Sequence, residues 1–145
     1  EQKLNVAEVL KLEGDVARGK TTIMRCIMCH QAGGAGLDVG PTLESWGKTQ
    51  TREVIANSII HPSADISHGY DATELKTKDG KTIHGLLQSN GDPAIIVSLG
   101  GVTQLVPKDK IASSKPLERS LMLSGDQLGL TPQDVADLIA FLKAE

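Results

Sequence analysis

The sequence predicts a mainly α fold carrying a small antiparallel β insertion, α+β overall, in one domain spanning residues 1–145. Three observations carry this expectation. Apolar residues recur at helical spacing toward both ends of the chain. Three turn signals, Asp79-Gly80, Asn90-Gly91 and Gly100-Gly101, fall close together in its middle. Hydrophobic residues at 39% and charged residues at 23% are ordinary for a single globular domain of this length.

The first element is a short helix marked by Leu4, Val6, Val9 and Leu10, and Gly14 breaks it. Asp15 then caps a second helix running through Arg18, Ile23 and Met24 toward Cys26. Glycines between Gln31 and Gly40 require a loop. Val54, Ile55, Ile59 and Ile60 place a helix over 51–60, ended by Pro62. At Tyr70 the pattern changes. Residues 73–77, 82–88, 94–99 and 102–106 read as four short strands, forming an inserted meander at about 70–111. Pro107 and Pro116 bracket a return to irregular chain. Thr131 caps the last helix, Pro132 occupies its first turn, and Asp134 faces the positive end of the dipole. Val135, Leu138, Ile139 and Leu142 form its apolar face, with Phe141 beside them. No internal repeat is present.

A formal net charge of −3 disfavours nucleic acid as a partner, because a basic patch is the expected footprint. No run approaches the ~18 consecutive apolar residues of a transmembrane segment. Glu1-Gln2-Lys3 opens without the apolar core of a signal peptide, so the expectation is a signal already removed or a segment excised from a longer polypeptide.

Cys26-Ile27-Met28-Cys29-His30 is a C-x-x-C-H sequence, the attachment pattern of a c-type haem. Two thiols add across the two vinyl groups of a porphyrin as thioethers. The two-residue spacer puts both sulfurs along one ring edge, and the next residue brings its imidazole beneath the iron. One covalent haem c, through Cys26 and Cys29 with His30 on the metal, is the reading of this motif. A thioredoxin-like pair would need a βαβ setting, whereas the upstream segment reads as helical. A structural zinc site would need a further ligand pair, and no other cysteine exists, which leaves only these two with His30 and a distant histidine. Composition is compatible with haem: Trp46, Tyr70 and Phe141 are the only aromatic residues, and a porphyrin would bury about 300–600 Å² in their place.

With these residues in view, the chain resembles class I cytochromes c. Gly14-Asp15-Val16-Ala17-Arg18-Gly19-Lys20 resembles their N-terminal helix, and Gly40-Pro41-Thr42-Leu43 matches Gly-Pro-x-Leu. Asp137-Leu138-Ile139-Ala140-Phe141-Leu142-Lys143 is similar to their C-terminal helix, and Ser120-Leu121-Met122 falls where the methionine ligand lies. Pro62-Ser63-Ala64-Asp65-Ile66-Ser67-His68-Gly69-Tyr70 matches the stretch leading into an inserted β region in the haem-binding domains of planctomycetes and verrucomicrobia. The resemblance spans essentially the whole chain. It implies a class I cytochrome c helical fold and one-electron transfer in an electron-transport protein, not an enzyme. It further implies that Gly19 lets the terminal helices cross with Phe141 at the crossing, and that the Pro41 carbonyl accepts the second ring N–H of His30. Leu43 would pack on the proximal haem face beside Gly40 and Pro41, and Met122 would be the sixth, metal-binding ligand. Two departures stand out: Thr22 or Ile23 occupies the position of an aromatic in the N-terminal helix, and Leu123 follows Met122 where a proline is common.

For Met122 the bland alternative is a methionine filling a core gap; Met24 and Met28 lie too near the attachment site to reach the opposite face and are read as packing. His61, His68 and His84 are rival ligands, with His61 at a helix end, His68 in a loop and His84 in a strand. With Leu123, these spare histidines motivate the alternative of an open-site haem protein acting as a redox enzyme or gas sensor. Gln31-Ala32-Gly33-Gly34-Ala35-Gly36 lacks the Lys-Ser/Thr ending of a phosphate loop, so close backbone approach to the haem explains its glycines better. Lys48 and Arg52 are candidates to pair with a propionate, against the default of solvated surface charge. The expected partner is a redox protein, with a dehydrogenase the subgroup's typical companion and the β insertion a candidate docking module. Attachment chemistry implies a periplasmic or otherwise extracytoplasmic location.

Overall fold

The computed structural model describes residues 3–144, so Glu1 and Gln2, read above for a signal, lie outside the described residues. The chain divides into two compact units, one formed by Glu1–Asp65 with Met122–Glu145 and the other by Ile66–Leu121.

The first unit is helical. In α1 (Val6–Leu10), the Asn5 side chain accepts the Glu8 N–H; in α2 (Val16–Thr22), Asp15 accepts the Arg18 N–H. The second helix does not continue to the cysteines as expected. Past the β-branched run Thr21-Thr22-Ile23 it tightens into a 3₁₀ turn over Ile23–Arg25. Short α3 (Trp46–Thr49) is followed by α4 (Arg52–Ile60), capped by Thr51. The long α5 (Pro132–Ala144) opens with a reciprocal cap, in which the Thr131 hydroxyl accepts the Asp134 N–H and the Asp134 carboxylate accepts the Thr131 N–H. Its buried Val135, Leu138, Ile139 and Leu142 pack with Val9, Ile55 and Ile60 in one core. Each such side chain contributes roughly 1.5–3 kcal/mol of burial.

Where α2 meets α5, a Cβ on Gly19 would lie 2.1 Å from the Asp137 carbonyl oxygen and 2.7 Å from Phe141 Cβ. Only a residue without a side chain permits that approach. No helix among the described residues is long and apolar enough to cross a membrane.

The second unit is a sheet of five antiparallel strands: β1 (Thr73–Thr77), β2 (Thr82–Ser89), β3 (Ala94–Val97), β4 (Thr103–Val106) and β5 (Ile111–Pro116). Their order is β4-β3-β2-β1-β5. The first half of β2 pairs with β1 and the second half with β3. Leu75, Ile83, Ile96 and Val106 form the core of this unit, with Leu87 and Ile111 against it. Along the other face, Glu74 stands directly across from His84 on one side and Lys115 on the other.

This sheet overturns the mainly α expectation, and with it the class I cytochrome c helical fold with a small β insertion that the resemblance implied. Strand occupies 20% against 33% helix, and the helices are short, so the chain is α+β. The difference centres on β5, expected as irregular chain. Ile111-Ala112-Ser113-Ser114-Lys115-Pro116 has too few apolar residues to alternate visibly, because it is an edge strand that leaves most side chains exposed. Pro116 is tolerated as its last residue.

Candidate functional site

The C-x-x-C-H segment begins where the 3₁₀ turn ends. The Cys26 carbonyl accepts the N–H of Cys29 at 3.2 Å and of His30 at 2.9 Å, so the motif winds as a tight helical turn. The glycine-rich loop folds back onto it. Leu37 N–H donates to the Ile27 carbonyl, Val39 and Gly40 N–H to that of Cys29, and Leu43 N–H to that of Gln31. Gly36 has φ +111, and a Cβ there would sit 2.0 Å from the His30 carbonyl oxygen. The loop therefore approaches the motif as closely as backbone allows.

His30 is 8% exposed, and its Nδ1 lies 2.6 Å from the Pro41 carbonyl oxygen. A carbonyl can only accept, so Nδ1 carries the hydrogen and Nε2 holds a lone pair. Among the described residues no hydrogen bond reaches Nε2. Burial holds the His30 pKa below the usual histidine value, against the opposing pull of the Pro41 carbonyl. The ring is thereby kept in the neutral form that binds metals. Gly40 makes room for it: a Cβ would stand 2.7 Å from Cε1 and 2.9 Å from Nδ1 of the imidazole.

Cys26 and Cys29 are free thiols, both half-buried. Burial pushes the Cys26 thiol up to about 11, despite the nearby Arg25. At neutral pH it is therefore held as a thiol. Among the described residues no three His, Cys, Asp or Glu side chains converge as an all-protein metal site.

Hydrogen bonds thus bring Cys26, Cys29, His30, Gly40 and Pro41 together. Leu43 is tied in through Gln31 and, with Cys26 and Trp46, rests against the helical core. Met122 comes from a distant part of the sequence, half-buried at the first position of the segment that returns to the helical unit. Met24, just before the motif, and Met28, within it, were expected as packing but are 60% and 58% exposed.

The rival histidines separate clearly. His61 is exposed at the end of α4, and His68 is exposed in a turn. Both ring nitrogens of His84 face partners, Nε2 at 3.0 Å from Glu74 and Nδ1 at 3.4 Å from Arg119. Arg52 donates to the carbonyls of Leu10 and Leu12, closing the end of α1. Lys48 is exposed.

Sequence reasoning missed the buried Asp137, the Glu74–His84–Arg119 array and the contact of Gly36 with His30. An aspartate inside the apolar face of α5 was the one visible signal among these. Neither a protein-family model nor a curated protein matches the chain.

Proposed function

We propose that the chain is a monohaem c-type cytochrome unit that transfers one electron at a time, as its resemblance to class I cytochromes c implies. One observation carries the reading: a buried imidazole with Nδ1 on the Pro41 carbonyl and Nε2 without a hydrogen bond among the described residues, on the same turn as two free thiols.

Bound here, the haem supplies Fe(II)/Fe(III) cycling. The residues supply everything else. Cys26 and Cys29 would hold the porphyrin as thioethers, and His30 would bind iron through Nε2. Pro41 keeps the imidazole from rotating and favours its ligating tautomer, as outer partners of ligating histidines do. Gly40 leaves space for the imidazole, Leu43 would offer apolar cover to the haem, and Met122 would be the second residue to bind the iron, its thioether favouring a raised potential. The partner would be a redox protein, with a dehydrogenase the leading class, and thioether attachment would imply a location outside the cytoplasm.

The test is the visible spectrum of protein produced with haem c maturation, ferric and ferrous, with and without carbon monoxide. Low-spin ferrous bands, a methionine–iron charge-transfer band and no response to carbon monoxide are expected. The haem should stay on the chain after denaturation, and Cys26→Ala with Cys29→Ala should release it. High-spin bands with immediate carbon monoxide binding would replace the carrier by an open-site protein. Failure to retain any haem would overturn the reading.

A further inference from the structure

Strand β2 ends at Ser89 and β3 begins at Ala94, so Asn90-Gly91-Asp92-Pro93 forms the connection between them. Asn90 and Gly91 are both exposed. Among the described residues the Asn90 carboxamide makes no hydrogen bond, which leaves it free to rotate. The Gly91 N–H stays out of the strand ladder and donates to the Ser89 hydroxyl at 3.2 Å. A Cβ on Gly91 would meet only that hydroxyl, at 3.3 Å, so the Gly91 backbone borders open space.

Comparable positions elsewhere in the chain are held. The Asn5 side-chain oxygen accepts the Glu8 N–H at 3.2 Å, and β-branched Val6 follows it. Asn57 lies inside α4, where helical hydrogen bonds hold the N–H groups after it. At Asp79-Gly80, the Gly80 N–H donates to the Thr77 carbonyl at 3.1 Å, and the Asp79 carboxylate accepts the Thr77 hydroxyl. That hydroxyl first, and then Lys81, hold Asp79 below the usual carboxylate range. An ionised carboxylate is a poor target for a nucleophile.

We propose that Asn90 is a self-modification site, at which Gly91 closes a succinimide ring and the turn gains a carboxylate. Asparagine is a thermally labile side chain, and glycine after it leaves the attacking nitrogen unshielded and the backbone free to turn. The Gly91 nitrogen gives up its proton to solvent and attacks Asn90 Cγ. A bond from that nitrogen to Cγ forms and the Cγ–Nδ2 bond breaks. The departing nitrogen recovers a proton from water and leaves as ammonia. Water then opens the ring at either carbonyl. Opening at Cγ gives aspartate. Opening at the Asn90 backbone carbonyl gives isoaspartate, whose main chain runs through the former side chain. Nothing is oxidised or reduced, and water is the only co-reactant. Either product adds a negative charge beside Asp92, whose carboxylate accepts the Lys108 N–H at 3.0 Å. Isoaspartate also lengthens the main chain of the turn, close to the register shift between Leu87 and Ser89.

The experiment incubates the full folded chain in mildly alkaline buffer beside a urea-unfolded sample, until the unfolded sample has lost its Asn90 amide. Peptide mapping by mass spectrometry follows each asparagine, and labelling by an isoaspartyl methyltransferase reads isoaspartate. In the folded chain, loss of the amide is expected at Asn90, with aspartate and isoaspartate both formed. Asn5 and Asn57 should keep their amides, and Asp79 should form no isoaspartate. Gly91→Ala, whose methyl meets only the Ser89 hydroxyl, should lose the conversion in the folded state. An Asn90 amide that persists in the folded chain would overturn the proposal, and this comparison does not depend on the variant. Aspartate formed without isoaspartate would mean direct hydrolysis and would refute the ring. Equal conversion at all three asparagines, or conversion undiminished in Gly91→Ala, would also overturn it.

Discussion

The guanidinium of Arg18 reaches across from α2 to the carboxylate of Asp137 on α5, with Nε 2.9 Å from Oδ2 and a second bond at 3.2 Å to Oδ1. The same carboxylate accepts the Asp15 N–H and the Gln133 side-chain amide. Asp137 is 2% exposed and lies among the apolar residues of its helix, so the four donors are what make its burial tolerable.

Arg18 first, and then Gln133 and the Asp15 N–H, hold Asp137 below the usual carboxylate range against its desolvation. A depressed pKa of this kind contributes stability that is complete above the unfolded value near ~4 and is lost as pH falls through the lower folded value. Asp137→Asn should therefore destabilise the protein by about 1.5–3 kcal/mol at pH 7 in urea unfolding, with the gap to wild type closing below about pH 4. An equal gap at pH 7 and pH 3 would remove the ionic account of this residue.

Gly19→Ala weighs two effects of known size. Alanine improves helix propensity by ~1 kcal/mol. Its methyl, however, would stand 2.1 Å from a backbone oxygen of α5 that no rotamer change can move. Overpacking of this kind costs about 1–3 kcal/mol, so a net loss and a lower melting temperature are expected. An unchanged or raised melting temperature would mean that the two helices separate freely.

At Gly40 the obstacle is the His30 ring, whose Cε1 lies 2.7 Å from where a Cβ would be. Gly40→Ala should tilt the imidazole away from the Pro41 carbonyl and shift part of the haem-loaded protein to high spin. The measurement is the ferric spectrum. A spectrum identical to wild type would show that the ring is not confined from this side.

Met122→Leu keeps the volume and removes the thioether. The methionine–iron band should vanish, the ferrous protein should bind carbon monoxide, and the potential should fall as the softer ligand is lost. If the band persists, the sixth ligand is another residue.

Much of the local structure was legible because short-range chemistry governs it. Asp15 and Thr131 announce helix starts, since their oxygens accept N–H groups three residues on. Asp79-Gly80 and Gly100-Gly101 mark turns that need left-handed backbone, and these glycines have φ of +92, +78 and +78. Strand β5 escaped because an exposed edge leaves little apolar alternation. The overall class was misjudged with it. Exposed Met24 and Met28 were equally hidden, since helical spacing beside a motif does not say which face is covered.

At the candidate site the division is sharper. C-x-x-C-H is legible in five consecutive residues, because the spacing of two thiols and an imidazole is a local matter. The roles of Gly40 and Pro41 were reachable only through a resemblance, and the hydrogen bond that gives them physical content closes across an eleven-residue loop. Asp137 with Arg18, and Arg119 with His84, join positions 119 and 35 residues apart, and no pattern along the chain marks either pair. Propensity and spacing act over a few residues, so they specify caps, turns and the C-x-x-C-H segment. Burial and the matching of polar partners depend on which distant segments meet, so they decide the protonation state of His30, the strand at the sheet edge and the polar array on its face.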